Sequence, residues 1–283
     1  MKPETLPQVT VRDALSATAR LANCSDSPEL DCQILLADVL GVSRSWLYSH
    51  DDITLNVDDM RRFQSMIERR QAGEPVAYIT GQRPFWDMTL EVSPATLVPR
   101  PETELLVEAV LDSRPDSPLT AIDLGTGSGA IAIALARERC SWQLYASDNS
   151  LESLTIAKHN AAQWSADRII FLCADWLAAF RHQAFDVIVC NPPYIQGGDP
   201  HLKDLCHEPA SALIANDNGL GDLKRVINAS VTAIRPGGHI FLEHGYDQQE
   251  IVVDLLVQAG YTTIKPGSDL AGNPRFVSGY YQP

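Results

Sequence analysis

From Pro101 onward, short apolar runs alternate with amphipathic helical stretches: a helix at 102–112, TAIDL, a helix from 129, WQLYAS, a helix from 150, RIIFL, DVIVC, a helix near 220–234, HIFLEH, a helix at 247–259 and RFVSGYY. Runs this short with little polar alternation are strands buried on both faces, and the intervening helices supply the cover. The pattern predicts an α/β domain over residues 100–283, built on a doubly wound, mostly parallel sheet. Ligands of such sheets bind beyond the carboxyl ends of the strands, so the residues directly after each apolar run are the candidates for chemistry.

Residues 1–75 have a different rhythm, with apolar spacing near 3.6 and helix start and stop residues. Thr10 with Asp13 reads as a cap. Ser27-Pro28 opens a helix that stops at Gly41, Ser43 to Ser49 forms a shorter piece, and Asp58 to Gln71 ends at Gly73. The run Arg61, Arg62, Arg69, Arg70 is offset by Asp58, Asp59, Glu68 and Glu74 and reads as a solvated helix face. No acid, base or ligand cluster lies there, so this unit is expected to hold a partner or brace the second domain. Between the two, residues 76–99 (VAYIT, Gly81, PFWDMTLEV, then LVPRP) alternate around turn residues and predict a strand pair or extended linker.

The loop after TAID carries Gly125, Thr126, Gly127, Ser128 and Gly129 and opens the helix AIAIALA. Its spacing is neither G-x-G-x-x-G nor a P-loop, which argues against phosphate cradling. Asp148, 25 positions after Asp123, ends WQLYAS where an acid can accept hydrogen bonds from both ribose hydroxyls. Asp175 and Trp176 follow the third strand and can offer a carboxylate to an adenine amine and an indole to its face. An unphosphorylated adenosine ligand fits this set. A lone glycine loop reads more readily as a tight turn; the acids and the indole on the same sheet edge favour binding.

After DVIVC comes Asn191-Pro192-Pro193-Tyr194. Two prolines remove two backbone donors and fix φ, giving a stiff corner that accepts hydrogen bonds. The Asn191 side-chain oxygen and the Pro192 carbonyl can take both hydrogens of a planar NH₂ group, with Tyr194 as a flat wall. An amide or aromatic amine nitrogen is a weak nucleophile because its lone pair is delocalised. Holding both hydrogens favours pyramidalisation and turns the lone pair toward an electrophilic methyl; the proton leaves after transfer, so no strong base is needed. In isolation the tetrapeptide reads equally as a proline turn. After a fourth parallel strand in a chain with this glycine loop, the binding reading is favoured.

DLGTGSGAIAIALA, NPPY, the upstream VPRPETELLVE with YITGQRPFW, and the downstream FLEHG, behind a small helical unit, resemble the protein-(glutamine-N5) methyltransferases of peptide chain release factors. The resemblance implies a class I S-adenosylmethionine-dependent methyltransferase fold. It implies S-adenosylmethionine as cofactor, held by Gly125 to Gly129, Asp148, Trp176 and Asn191, with Asp175 a weaker candidate. It places the substrate glutamine of a Gly-Gly-Gln tip on Asn191, Pro192, Pro193 and Tyr194, with Asn191, Pro192 and Tyr194 as the catalytic set. The helical unit becomes a substrate-recognition domain. Arg100, Glu102 and Glu104 match the family segment and are read as capping a helix at Pro101; Glu243 and His244 stand at a strand end with support and catalysis equally open. The stretch before Glu208-Pro209 departs from the family pattern, so substrate affinity or loop order is expected to differ.

NPPY also occurs in nucleic-acid adenine and cytosine amino-methyltransferases, which act on a base taken out of its stack. Charge separates the readings. The chain carries a formal net charge of -14, and the deficit of basic residues holds in both parts: 8 basic against 12 acidic in 1–75, 14 against 24 in 76–283. Such a surface repels a phosphate backbone and complements a basic protein, so a release factor, and no direct nucleic-acid contact, is expected. Six scattered cysteines without a Cys-x-x-Cys pair fit reduced thiols in a cytoplasmic protein, and His201, Cys206 and His207 lack the second pair that a zinc site needs. With no apolar signal core in MKPETLPQVTVRD and no membrane-length apolar run, neither export nor membrane association is expected. A monomer without bound metal is expected.

Overall fold

The computed structural model describes residues 9–282; residues 1–8, read above for their lack of a signal core, and Pro283 lie outside them. The chain divides into two units, Met1–Gly81 and Gln82–Pro283.

The first unit holds α1 (Val11–Leu15), α2 (Thr18–Leu21), α3 (Pro28–Leu40), α4 (Arg44–Ser49), α5 (Val57–Gln71) and α6 (Val76–Thr80). Its sequence punctuation works largely as expected. Thr10 and Asp13 form a reciprocal capping box, Ser43 caps α4, and Gly41 closes α3 in the left-handed region at φ 65°. Ser27 makes no side-chain cap; instead Ser25 Oγ accepts from its amide and donates to Asp31. Leu21, Leu35, Leu36, Leu47 and Ile67 are fully buried together, each contributing about 1.5–3 kcal/mol of transfer free energy.

Two expectations need correction in this unit. VAYIT is the helix α6, not a strand: Pro75 precedes it, Gly81 ends it at φ 74°, and Ile79 joins the helical core. The arginine run is not uniformly a solvated face. Arg61 and Arg62 pair outward with Asp58 and Asp59, whereas Arg70 reaches from α5 to Asp31 on α3 at 2.7 Å, with side-chain exposures of only 16% and 10%.

The second unit opens with an antiparallel pair, β1 (Gln82–Phe85) and β2 (Met88–Glu91), the strand pair expected within 76–99. Then follow α7 (Thr103–Ser113), β3 (Thr120–Leu124), α8 (Ala130–Glu138), β4 (Gln143–Asp148), α9 (Leu151–Gln163), β5 (Ile170–Cys173) and β6 (Phe185–Cys190). A short parallel pair, β7 (Ile195–Gln196) and β8 (Ile214–Ala215), follows, then α10 (Gly221–Ala233), β9 (Ile234–Glu243), α11 (Gln249–Gln258), β10 (Tyr261–Ser268) and β11 (Pro274–Tyr281). The large sheet runs β10-β11-β9-β6-β3-β4-β5. β3 through β6 and β9 are parallel, and β11 is antiparallel to both its neighbours. The expected doubly wound, mostly parallel sheet is present. β10 was not legible in the sequence: its burial is confined to Tyr261, and an edge strand with one covered face lacks the continuous apolar run of a central one.

The chain winds outward from β3 through β4 to β5, then returns to β6 on the other side of β3. That reversal makes a crevice at the carboxyl ends of β3 and β6. Register brings those ends level: Leu124 pairs with Ser147 and Cys190, Asp148 with Cys173, and Cys190 with Leu242.

Candidate active site

The glycine loop is folded by hydrogen bonds from inside. Asp123, buried at the end of β3, accepts from Thr126 Oγ1 at 2.6 Å and from the Ala132 amide at 3.2 Å, which ties the loop to the first turn of α8. Burial pushes the Asp123 carboxyl up to about 7, against the lowering effect of those donors. Gly129 ends the loop at φ 87°; a Cβ there would lie 2.9 Å from Ile133 Cδ1 and 3.2 Å from Ala157 Cβ, so α8 and α9 pack closely only over a glycine.

Beyond the strand ends lies a cavity of about 270 Å³. Gly125, Gly127, Asp148, Asp175, Trp176, Asn191 and Pro193 line it, so most of the residues singled out for an adenosine ligand meet in one place. Thr126, Ser128 and Gly129 are not among the lining residues: Thr126 is turned to Asp123, the Ser128 carbonyl accepts from Asn160 Nδ2 at 2.9 Å, and Gly129 serves helix packing. Asp148 accepts from the Gly127 amide through one oxygen and from the Ser150 amide through the other, both at 2.9 Å. Each oxygen keeps lone-pair capacity for a further hydroxyl donor. Trp176 adopts φ 47°, packs its ring against Gly125 and donates Nε1–H to Asp222 at 3.0 Å, which holds the indole as a fixed wall. Asp175 is half-committed elsewhere, in an ion pair with Arg225 at 2.6 Å.

A second cavity of about 200 Å³ lies on the other side of the proline corner, lined by Arg100, Asn191, Pro192, Tyr194, Leu205 and Leu213 among others. Asn191 lines both cavities, Pro193 only the first, Pro192 and Tyr194 only the second. Leu97 and Ala212 also border both. The corner therefore stands between two chambers, and Asn191 is the one of its four residues that borders both.

Residues outside the Asn-Pro-Pro-Tyr tetrapeptide hold this corner, Thr103 from VPRPETELLVE and Glu243 from FLEHG. Asn191 Nδ2 lies 3.2 Å from Thr103 Oγ1, Thr103 Oγ1 lies 2.8 Å from Glu243 Oε2, and Tyr194 OH donates to Glu243 Oε1 at 3.3 Å. Burial raises Glu243 to about 7 despite the Thr103 and Tyr194 donors, and burial together with the Glu243 charge pushes the Tyr194 phenol well up, so it stays protonated. Gln248 Nε2 donates to the Tyr194 carbonyl at 3.0 Å while its Oε1 accepts from the Gly245 amide. His244 points its Nδ1 at the Gly245 carbonyl and is fully buried.

The matched upstream segment does more than cap a helix. Arg100 pairs with buried Glu208, whose other oxygen accepts from the Val98 amide at 3.0 Å; Glu104 accepts from the Trp86 amide at 2.8 Å. Glu102 sits at the α7 start without a side-chain cap. The loop after Tyr194 is thus anchored at Glu208 and contributes Pro209, Ser211 and Ala212 to the first cavity. Sequence reasoning missed Pro94 to Leu97, Pro209, Ser211 and Ala212 as wall residues, and Thr103 as the partner of Asn191. Their only signal is position, within or beside VPRPETE and Glu208-Pro209. Among the described residues no group of three or more His, Cys, Asp or Glu is placed to hold a metal, no helix is long and apolar enough to cross a membrane, and all six cysteines are free.

The fold is shared with solved structures of low sequence similarity. A methyltransferase from Pyrococcus furiosus superposes at TM-score 0.54 with 17% identity, covering 78% of this chain and 98% of that one. A ribosomal protein L11 methylase from Lactobacillus delbrueckii subsp. bulgaricus gives 0.52 with 21% identity over 68% and 84%. Closer in sequence, a family model described as the PrmC N-terminal domain matches residues 15–81, and one described as the methyltransferase small domain matches 101–235. The release factor glutamine methyltransferase of Coxiella burnetii is 43% identical over 91% of this chain and 94% of its own. That of Escherichia coli is 40% identical over 96% and 98%. A two-chamber site at the switch point of the sheet, an N-terminal helical unit that matches its own family model, and 40–43% identity along nearly the whole chain place this protein in the release factor glutamine methyltransferase family.

Proposed function

We propose that the protein transfers the methyl group of S-adenosylmethionine to the side-chain amide nitrogen of the glutamine in the Gly-Gly-Gln motif of peptide chain release factors. The observation that carries this reading is Asn191, which borders both chambers and so touches a methyl donor in one and an amide acceptor in the other. The first chamber fits an adenosine moiety by its donors and acceptors. Asp148 has capacity for ribose hydroxyls, Trp176 supplies a flat wall, and Gly125 and Gly127 leave the backbone open to approach. Bound there, the sulfonium compound supplies an electrophilic methyl carbon.

On the other side, the Asn191 oxygen and the Pro192 carbonyl accept the two hydrogens of the glutamine NH₂, and Tyr194 flanks the amide plane. Pinned this way, the nitrogen lone pair points at the methyl, and the proton departs once the nitrogen has become cationic. The gain lies in positioning and preoriented dipoles, where loss of one contact costs on the order of 10²–10³ in rate. The helical unit over residues 1–75 serves recognition of the release factor, whose basic surface the net charge of -14 complements.

Mass spectrometry of a release factor incubated with the protein and S-adenosylmethionine tests the reading. A single added methyl on the Gly-Gly-Gln glutamine is expected; label found in nucleic acid and not in the factor would overturn it.

A further inference from the structure

An asparagine amide has two orientations, related by a half turn, that exchange its donor and acceptor ends. Only one of them offers an acceptor to a substrate NH₂; the other would set NH₂ against NH₂. What selects the orientation at Asn191 is not in the NPPY corner itself.

We propose that Thr103 and Glu243 are positioning residues that lock the Asn191 amide with its nitrogen inward and its oxygen toward the substrate. The inference rests on the reading of Asn191 as an acceptor and extends it to residues that do not touch the substrate. The hydrogen count supports it. The Thr103 hydroxyl has one hydrogen and lies between Asn191 at 3.2 Å and Glu243 Oε2 at 2.8 Å. An ionised carboxylate only accepts, so that hydrogen belongs to Glu243. The hydroxyl oxygen is then left as an acceptor, and Asn191 meets it with its NH₂. Tyr194 gives its own hydrogen to Glu243 Oε1, so one carboxylate orients both polar side chains of the corner. Thr103 and Glu243 are 5% and 3% exposed, and in such a low-dielectric setting the direction of each hydrogen is consequential.

A proton on Glu243 Oε2 reverses the order. The carboxyl then donates to Thr103, the hydroxyl hydrogen turns to Asn191, and the amide is driven to present its oxygen inward. Around Glu243 stand Cys190 at the end of β6, Tyr194 in the loop after it, Glu102 at the start of α7, Arg275 on β11 and His244 just past the end of β9. Burial raises the phenol and the thiol and lowers the imidazole, so those three are neutral near pH 7. Asp123 titrates in the same range as Glu243, and substitution at 243 separates the two.

The test combines kinetics with a readout that does not depend on turnover. In Thr103→Val, of nearly the same shape, kcat for release-factor methylation is expected to fall 10–100-fold, with cofactor affinity and substrate KM within about twofold of the parent. Thr103→Ser is expected to restore at least half of kcat. In the parent, kcat is expected to rise with pH through about 7, and in Glu243→Gln that rise is lost. In ¹⁵N-Asn-labelled protein the Asn191 NH₂ pair, identified by its absence in Asn191→Ala, is expected to shift and exchange faster in Thr103→Val than in Thr103→Ser. Parent-like kcat in Thr103→Val, equal losses in the Val and Ser variants, or an unmoved Asn191 signal overturns the inference. Failure of the parent to methylate the release factor overturns the functional reading instead, and the Asn191 signal still decides the network.

Discussion

The two units handle buried polarity in opposite ways. In the helical unit Asp31 is the buried acid among the described residues, and it is fully committed to Arg70 and Ser25. In the α/β unit Asp123, Glu208, Glu243, His244, Asn160 and Thr103 are all buried, and Asp123, Glu243 and His244 stand at the carboxyl ends of β3 and β9. Two of the acids are pushed to about 7 by burial. A unit with no reacting groups neutralises its buried charge. A unit that has to react keeps buried polar groups where they orient something else, at a cost in stability.

The comparison breaks first at Asn191. Asn191→Ala should lower kcat on the order of 10²–10³ or more while calorimetry finds cofactor affinity nearly unchanged; a mild loss would mean that the corner is only a turn. In the helical unit the contrasting change is Arg70→Met, which leaves Asp31 buried without its partner. Urea unfolding of that unit should show a loss of about 3 kcal/mol, with kcat for methyl transfer untouched. A drop in kcat would show that the division of labour is less clean than the burial pattern implies.

Asp148→Ala sharpens the contrast inside the α/β unit. Losing a carboxylate that also fixes the Gly127 and Ser150 amides should weaken S-adenosylmethionine binding about 10–100-fold, with kcat at saturating cofactor changed much less. The smallest effect is on stability against pH. Asp123 and Glu243 have folded values near 7, above those of the unfolded chain. Between the two values the folded protein holds protons that the unfolded chain has released, so stability is full below about pH 4 and falls as pH rises through 7. Each carboxyl should contribute about 1 kcal/mol of that fall between pH 6 and 7. Chemical denaturation of Glu243→Gln across this range should show the slope reduced. Activity is expected to run the other way, rising as Glu243 ionises, so the group sets stability against turnover.

Much of the architecture was legible because its causes are local. The apolar runs of β3, β4 and β6 alternate with amphipathic helices and so read as central strands, and caps such as Thr10 with Asp13 or Gly41 act locally. VAYIT misled because four apolar residues and a threonine satisfy a strand or one helical turn equally, and packing against the α3 and α5 core decided for helix. Edge strand β10 escaped for the same reason in reverse, lacking the two-sided burial that makes a strand conspicuous.

By itself the sequence determined the chemistry on offer: a glycine loop free of phosphate spacing, an acid after the second parallel strand, a donor-poor Asn-Pro-Pro-Tyr corner, and an acidic surface. Each is a property of neighbouring residues along the chain. Tertiary structure alone decided that Asn191 stands between two chambers, that Thr126, Ser128 and Gly129 serve the turn and not the cavity, and that Thr103 meets Glu243 across 140 positions of sequence. Such meetings depend on strand order and register, which arise from how the whole sheet packs, and no local pattern encodes them.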